Sequence, residues 1–458
     1  MSSICTSNVT SGFIDLATFD EIEKYMYGGP DATAYFVRET RKSTWFTQVP
    51  VVLSRASGQP AFGQEFAASI SRAGDYLLQS WLRLQVPSVA LVTSGAPTGA
   101  SIRWTRNLMH NIVQECAITF NDLVAARFDS YHLDFWAAFT VPAAKQNGYD
   151  NMIGNIKELI EPASVGSALG SATLNLPLPF FYARDSGVAL PTAALPYNDM
   201  RINFKFRDWS QLLIQSLGNA PNTVNTPVNN SALLQGGVPI IGQCQVWSNY
   251  AIVSNDERKR MACAPRDILI EQVQTAPIQS FTPSTNQQQS FDIRFSHAIK
   301  VLFFAVRNTS CSAEWSNYTT TSPTVSSGII SFNPTPGSTD PILQTSLIYE
   351  NTNRLQQMGS DYFSLVNPWY NAPKIPSTTG YHSYSYSLDF ICLDPLGSTN
   401  YGKLTNVSIV PEASADAIAN NSGSYTAYNS GQTFQFIVTA VNNNIIRISG
   451  GALGFPVL

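Results

Sequence analysis

The chain has 458 residues, 44% of them hydrophobic but only 13% charged, about half the usual ~25%. Its net charge is −4, and no run of 18 apolar residues occurs, which excludes an intrinsically disordered chain and a membrane-spanning helix. The acidic balance also disfavours binding to nucleic acid through phosphate neutralisation.

The opening residues MSSICTSNVTSGFIDL carry no basic segment followed by an apolar one, so no secretory signal is read there. Over 1–37, Asp15, Asp20, Glu21, Glu23 and Asp31 face Lys24 alone, giving −4, the whole net charge of the chain. Such an arm is electrostatically wrong for nucleic acid or an anionic lipid surface. Thr18 with Glu21 reads as a capping box, and Gly28-Gly29-Pro30 as a stop. Leu16, Phe19, Ile22, Tyr25 and Met26 recur at helical spacing and form one apolar face, the candidate contact of this arm.

From about residue 35 the pattern is that of strands. In 200–207, Ile202, Phe204 and Phe206 alternate with Arg201, Asn203, Lys205 and Arg207. In 383–390, Tyr384, Tyr386, Leu388 and Phe390 alternate with Ser383, Ser385, Ser387 and Asp389. Segments 76–86, 291–296 and 433–441 are further strands. Helices are expected at 131–139, 153–160 and 254–262, the last with a Ser254/Glu257 box followed by the basic run 258–260. Pro, Gly, Asn, Ser and Thr fill the connections, and two long ones, 217–238 and 308–341, read as exposed loops. Short strands with such connections point to an all-β antiparallel sandwich architecture. The two halves share a plan, which divides the chain into an arm (1–30), a first sandwich (31–255), a connector (256–275) and a second sandwich (276–458).

Chemistry is hard to find. G-x-S-x-G, G-x-G-x-x-G, Walker A and H-E-x-x-H motifs are all missing, and His110, His132, His297 and His382 are too dispersed for a local metal pair. No catalytic residue, cofactor or metal site is nominated. The six cysteines lack a C-x-x-C and read as separate thiols in a reducing compartment, with Cys5 on the arm a candidate crosslinking thiol. Of six N-x-[ST] sequons, Asn229, Asn308 and Asn317 are the candidate sugar acceptors. The scarcity of charge, beside 19 Tyr, 25 Phe and 8 Trp, suits a chain that covers much of its surface with copies of itself.

Several long segments resemble one family. These are 11–19 (SGFIDLATF), 103–111 (RWTRNLMHN), 148–154 (GYDNMIG), 180–202 (FFYARDSGVALPTAALPYNDMRI), 268–274 (ILIEQVQ), 397–407 (GSTNYGKLTNV) and 447–458 (RISGGALGFPVL). Together they resemble the major capsid proteins of iridoviruses, especially those of invertebrate iridescent viruses. The resemblance implies a double jelly roll: two tandem eight-stranded antiparallel sandwiches with a short N-terminal helix and a few helical insertions. It also implies a homotrimer, pseudo-hexagonal because each chain supplies two similar sandwiches. Such trimers tile an icosahedral shell around an internal lipid membrane and a double-stranded DNA genome, and the shell is made and assembled in the host cytoplasm, without secretion. On that reading 217–238 and 308–341 are candidates for the outward tower. The acidic arm points inward, onto a minor capsid protein or a neighbouring subunit, with membrane proteins as a further contact and no direct contact with nucleic acid. The competing readings are a sandwich lectin that uses exposed Tyr and Trp on its loop tips, and a minor or vertex capsid protein. The latter usually needs only one jelly roll, and this chain has length for two.

Overall fold

The computed structural model describes residues 2–218, 224–321, 333, 335–336, 338–423 and 431–457, with side chains from residue 7 onward. The chain divides into two compact units, Met1–Trp45 and Phe46–Leu458.

The first unit holds two helices, α1 (Ser2–Ala17) and α2 (Glu21–Tyr27). The expected capping box is displaced by two residues. The Thr18 hydroxyl turns back and donates to the Asp15 carbonyl at 2.7 Å, so it cannot cap α2. Asp20 takes the cap position, and its N–H donates to the Glu23 carboxylate at 3.3 Å. The apolar face is therefore not one helix face: Leu16 lies in the last turn of α1, Phe19 in the break, and Ile22, Tyr25 and Met26 on α2. All five are exposed within this unit.

Among the described residues, the second unit contains sixteen sandwich strands. The first eight are β1 (Phe46–Val52), β2 (Glu65–Ser69), β3 (Tyr76–Val86), β4 (Val113–Phe120), β5 (Leu123–Asp129), β6 (Ala172–Pro177), β7 (Met200–Phe206) and β8 (Cys244–Val253). They form facing sheets in the order β1-β8-β3-β6 and β2-β7-β4-β5, with Ser54–Gly58 added beside β2. The second eight are β9 (Arg266–Thr275), β10 (Phe291–Asp292), β11 (Ala298–Asn308), β12 (Ile342–Tyr349), β13 (Thr352–Gly359), β14 (His382–Ser385), β15 (Val407–Ala413) and β16 (Phe434–Ser449). Their sheets run β9-β16-β11-β14 and β10-β15-β12-β13, with short strands added at the first. Adding eight to each label of the first sandwich gives the order in the second. All these pairings are antiparallel, and first and last strands are neighbours in each sandwich, which is the jelly-roll arrangement.

Alternation builds both cores. Ile202, Phe204 and Phe206 on β7 are buried as expected, with Phe66 stacked on Phe204. In the second sandwich Leu302, Phe304 and Val306 of β11 meet Phe436, Val438 and Ala440 of β16. A further four-stranded sheet draws on the long connections of the first sandwich: Ser101–Trp104, Ala163–Ser164, Leu213–Leu217 and Val224–Pro227. The expected loop 217–238 therefore contains a strand.

Other expectations need correction. The 383–390 strand ends at Ser385, because Ser385 and Ser387 donate their hydroxyls to the carbonyls of Ser387 and Asp389 and divert the chain from the ladder. Leu388 is consequently 73% exposed. The 291–296 strand is reduced to β10. The helices after β5 are α4 (Ser130–Thr140), α5 (Gln146–Ile153) and α6 (Lys157–Ile160), preceded by the short α3 (Leu108–Ile112) before β4. Gly154, at φ +92°, ends α5 in the left-handed region and splits the helix expected at 153–160. The proposed connector 256–275 is not a linker. It holds α7 (Asn255–Cys263) and then β9, which pairs with β16 over ten residues. Ser254 begins α7 without a side-chain cap. Arg258 of the basic run instead forks onto Asp75 at 2.8 and 3.0 Å.

Candidate assembly interface

The two sandwiches meet along a seam organised by α4, which directly follows β5. Tyr131, Phe135 and Phe139 recur every four residues on α4 and therefore share one face. They pack on the outer side of the β9-β16-β11-β14 sheet, against Val301, Phe303, Ala305, Ile437 and Val441. Phe303 stacks with Phe135 (5.8 Å, 8°) and with Phe139 (5.4 Å, 16°). Each such pair contributes about 0.5–1.5 kcal/mol beyond area burial. β11 is thus buried on both faces, which explains why 301–306 reads as a continuous apolar run rather than an alternating one.

Polar groups fix the register of the seam. Asp134 of α4, fully buried, accepts from Asn107 (3.1 Å), from the hydroxyls of Ser316 and Tyr318 (both 2.9 Å), and lies 2.8 Å from His110 Nδ1. Burial first, and the Asp134 charge second, push the Tyr318 phenol well up, so it stays a donor. Arg103, on the small sheet, donates to Glu314 from the β11–β12 connection at 2.8 Å, and both are buried. Glu271 of β9 faces Lys300 of β11 at 2.6 Å and Arg184 of the first sandwich at 3.3 Å. The Arg184 guanidinium lies 3.6 Å over Trp136. Arg207 and Arg307, one from each sandwich, both lie over Trp315 (3.7 and 4.2 Å). Burial lowers Arg207 to about 10. These partners stand far apart in sequence and carry no local motif, so sequence reading did not nominate them.

The candidate residues from the sequence are scattered. Asn308 and Asn317 are buried, and their carboxamides are engaged: Asn308 donates to the Thr319 carbonyl at 3.1 Å, and Asn317 to Glu314 (3.3 Å) and the Thr321 carbonyl (3.2 Å). Neither is open to a glycan in the folded chain, which corrects that assignment. Asn229 is exposed. The residues 311–320, expected as exposed loop, are largely buried because they carry Glu314, Trp315 and Tyr318 into the seam. The Cys5 side chain lies outside the described residues, as do 219–223 and most of 322–337. The remaining five cysteines are free. Among the described residues, no group of three His, Cys, Asp or Glu stands close enough to hold a metal, and no helix is long and apolar enough to cross a membrane.

What is exposed and apolar on the second unit is a candidate for assembly contacts. Val366, Trp369 and Tyr370 protrude from the helical segment after β13, the latter two 70% and 76% exposed. An open, mainly apolar groove of ≈ 860 Å³ lies on the first sandwich, between its β3 and β6 strands and α4–α5.

Two jelly rolls of equal strand order, joined by a buried seam in one chain, define the double jelly-roll class of capsid protein. The structure of the PBCV-1 virus capsid shares this fold, with a TM-score of 0.73 at 18% identity, covering 93% of this chain and 100% of that one. Residues 34–253 match the family described as major capsid protein N-terminus, and 257–454 match the large eukaryotic DNA virus major capsid protein. The chain is 65% identical to the major capsid protein of Costelytra zealandica iridescent virus and 64% identical to that of Invertebrate iridescent virus 6, each alignment covering 100% of both chains. It therefore belongs to the major capsid protein family of the iridescent viruses. Its role is structural, as a component of the virion capsid, and it is not an enzyme.

Proposed function

We propose that this chain forms homotrimeric, pseudo-hexagonal capsomers that tile the icosahedral shell around an internal lipid membrane and a double-stranded DNA genome. The observation that carries this reading is the repeated strand order, β1–β8 and β9–β16, fused through one buried seam. A chain with two similar wedges gives six in a closed ring of three, and cyclic closure satisfies a head-to-tail contact without leaving an open filament. The family supports the shell, and the scarcity of charge supports extensive contact between copies.

The acidic arm is the inward element in this proposal. Leu16, Phe19, Ile22, Tyr25 and Met26 dock on a minor capsid protein or a neighbouring subunit, with membrane proteins as a further contact and nucleic acid as none. Synthesis and assembly take place in the host cytoplasm, without secretion, and the unpaired state of the five described cysteines agrees with a reducing compartment.

Light scattering on the purified chain tests the capsomer: a mass of three chains is expected, and a stable monomer overturns it. Deleting residues 1–29 should leave that mass unchanged while impairing closure of shells. A truncated chain that no longer trimerises shows that the arm belongs to the trimer itself, and the inward assignment then fails.

A further inference from the structure

Within one chain, the seam seats a helix of one roll on the sheet of the other. In the first sandwich, the helix after β5 packs with one face on the outer side of the next roll's β9-β16-β11-β14 sheet. The second sandwich has a corresponding segment after β13: a helical turn Tyr362–Val366 leading into α8 (Asn367–Asn371). The spacing matches. Phe139 stands ten positions beyond the end of β5 at Asp129, and Trp369 ten positions beyond the end of β13 at Gly359. Phe139 is buried on Phe303, whereas Trp369 is 70% exposed.

The receiving faces match as well. β3 and β11 each have eleven residues, and Trp81 is the sixth of one as Phe303 is the sixth of the other. Phe303 lies under α4. Trp81, paired across the ladder with Trp247 and stacked on it at 6.2 Å, is only half-buried and lines the ≈ 860 Å³ groove with Gln79, Asn175 and Pro177. Among the described residues, no Asp or Glu lines this groove, so an aromatic occupant meets no unpaired carboxylate there.

We infer that the groove over Trp81 is the socket for Val366, Trp369 and Tyr370 of a second copy of this chain, which lie on it as α4 lies on Phe303 within the chain. This inference rests on the trimer proposed above and names its contact. The contact is heterologous: every copy offers one knob and one socket, and three close a ring. A large aromatic filling a desolvated pocket is the type of residue that dominates interface energetics.

The test uses Trp369→Glu in the knob and Trp81→Glu in the socket of the full chain, with circular dichroism to verify folding. Met152→Glu at the groove rim replaces the second variant should Trp81→Glu disturb the sheet. Light scattering on each variant alone is expected to give one-chain masses. An equimolar mixture of the two is expected to give a two-chain species and no larger one, because only the intact knob of the socket variant can enter the intact socket of the knob variant. Folded variants that keep a three-chain mass, or a mixture that stays monomeric, overturn the inference while the trimer stands. A wild-type chain with a one-chain mass overturns the trimer as well.

Discussion

His132 makes the stability of the seam helix dependent on pH in a way that one substitution should remove. Its imidazole is buried on α4 between Phe128 and Trp136, and neither ring nitrogen meets a hydrogen-bond partner. Burial, and then the nearby Arg184 guanidinium, lower its pKa from 6.5 to about 3, so the folded chain holds it neutral. Below the unfolded value of 6.5 the unfolded chain binds a proton that the folded chain refuses. The stability that this neutrality contributes is present above pH ~6.5 and is lost as pH falls toward 3. At about 1.4 kcal/mol per pH unit, the loss at pH 5 is about 2 kcal/mol. His132→Phe carries no titrating group and also removes two unpaired polar atoms. Urea unfolding followed by tryptophan fluorescence should therefore show the variant gaining on wild type by about 2 kcal/mol between pH 7.5 and pH 5. Other titrating groups cancel in that difference. A difference between variant and wild type that is the same at both pH values would refute the reasoning.

Two further outcomes follow from the charges. Lys300→Met strips Glu271 of its nearest cation inside the seam and should cost about 3–5 kcal/mol in thermal or urea unfolding, and adding Glu271→Gln should recover part of that loss. The proposed trimer should persist in 1 M NaCl by light scattering, because screening weakens exposed charge pairs and this chain has few charges to place at its contacts; dissociation in salt contradicts this.

The sandwich class was legible because alternation survives wherever a strand has one face in a core, as in β7, whose buried Ile202, Phe204 and Phe206 lie where period-two reading puts them. It failed where local side chains compete with the ladder, as with Ser385 and Ser387. Caps failed for a related reason: Thr18 and Ser254 both have a Glu three residues on, yet one hydroxyl turns backward and the other helix start leaves its cap unmade. The seam was not legible at all. Asp134, Glu314, Lys300 and Trp315 acquire their roles mainly from partners 24 to 211 residues away, and pairing at that range leaves no periodic trace. The described part of the loop expected at 308–341 is the clearest example, since residues 311–320 serve a buried network rather than solvent.

The adjacency of first and last strands has a consequence for synthesis. β1 pairs with β8 from Phe46↔Val253 onward, and β9 with β16 from Arg266↔Ile448. Neither roll can close its central ladder until its final strand, Cys244–Val253 in the first and Phe434–Ser449 in the second, has left the ribosome. Throughout that interval the edges of β1 and β9 stand unpaired. Contacts of such sequence separation form slowly and leave aggregation-prone edges exposed. A capsid protein would therefore be most open to aggregation while its chains are still nascent.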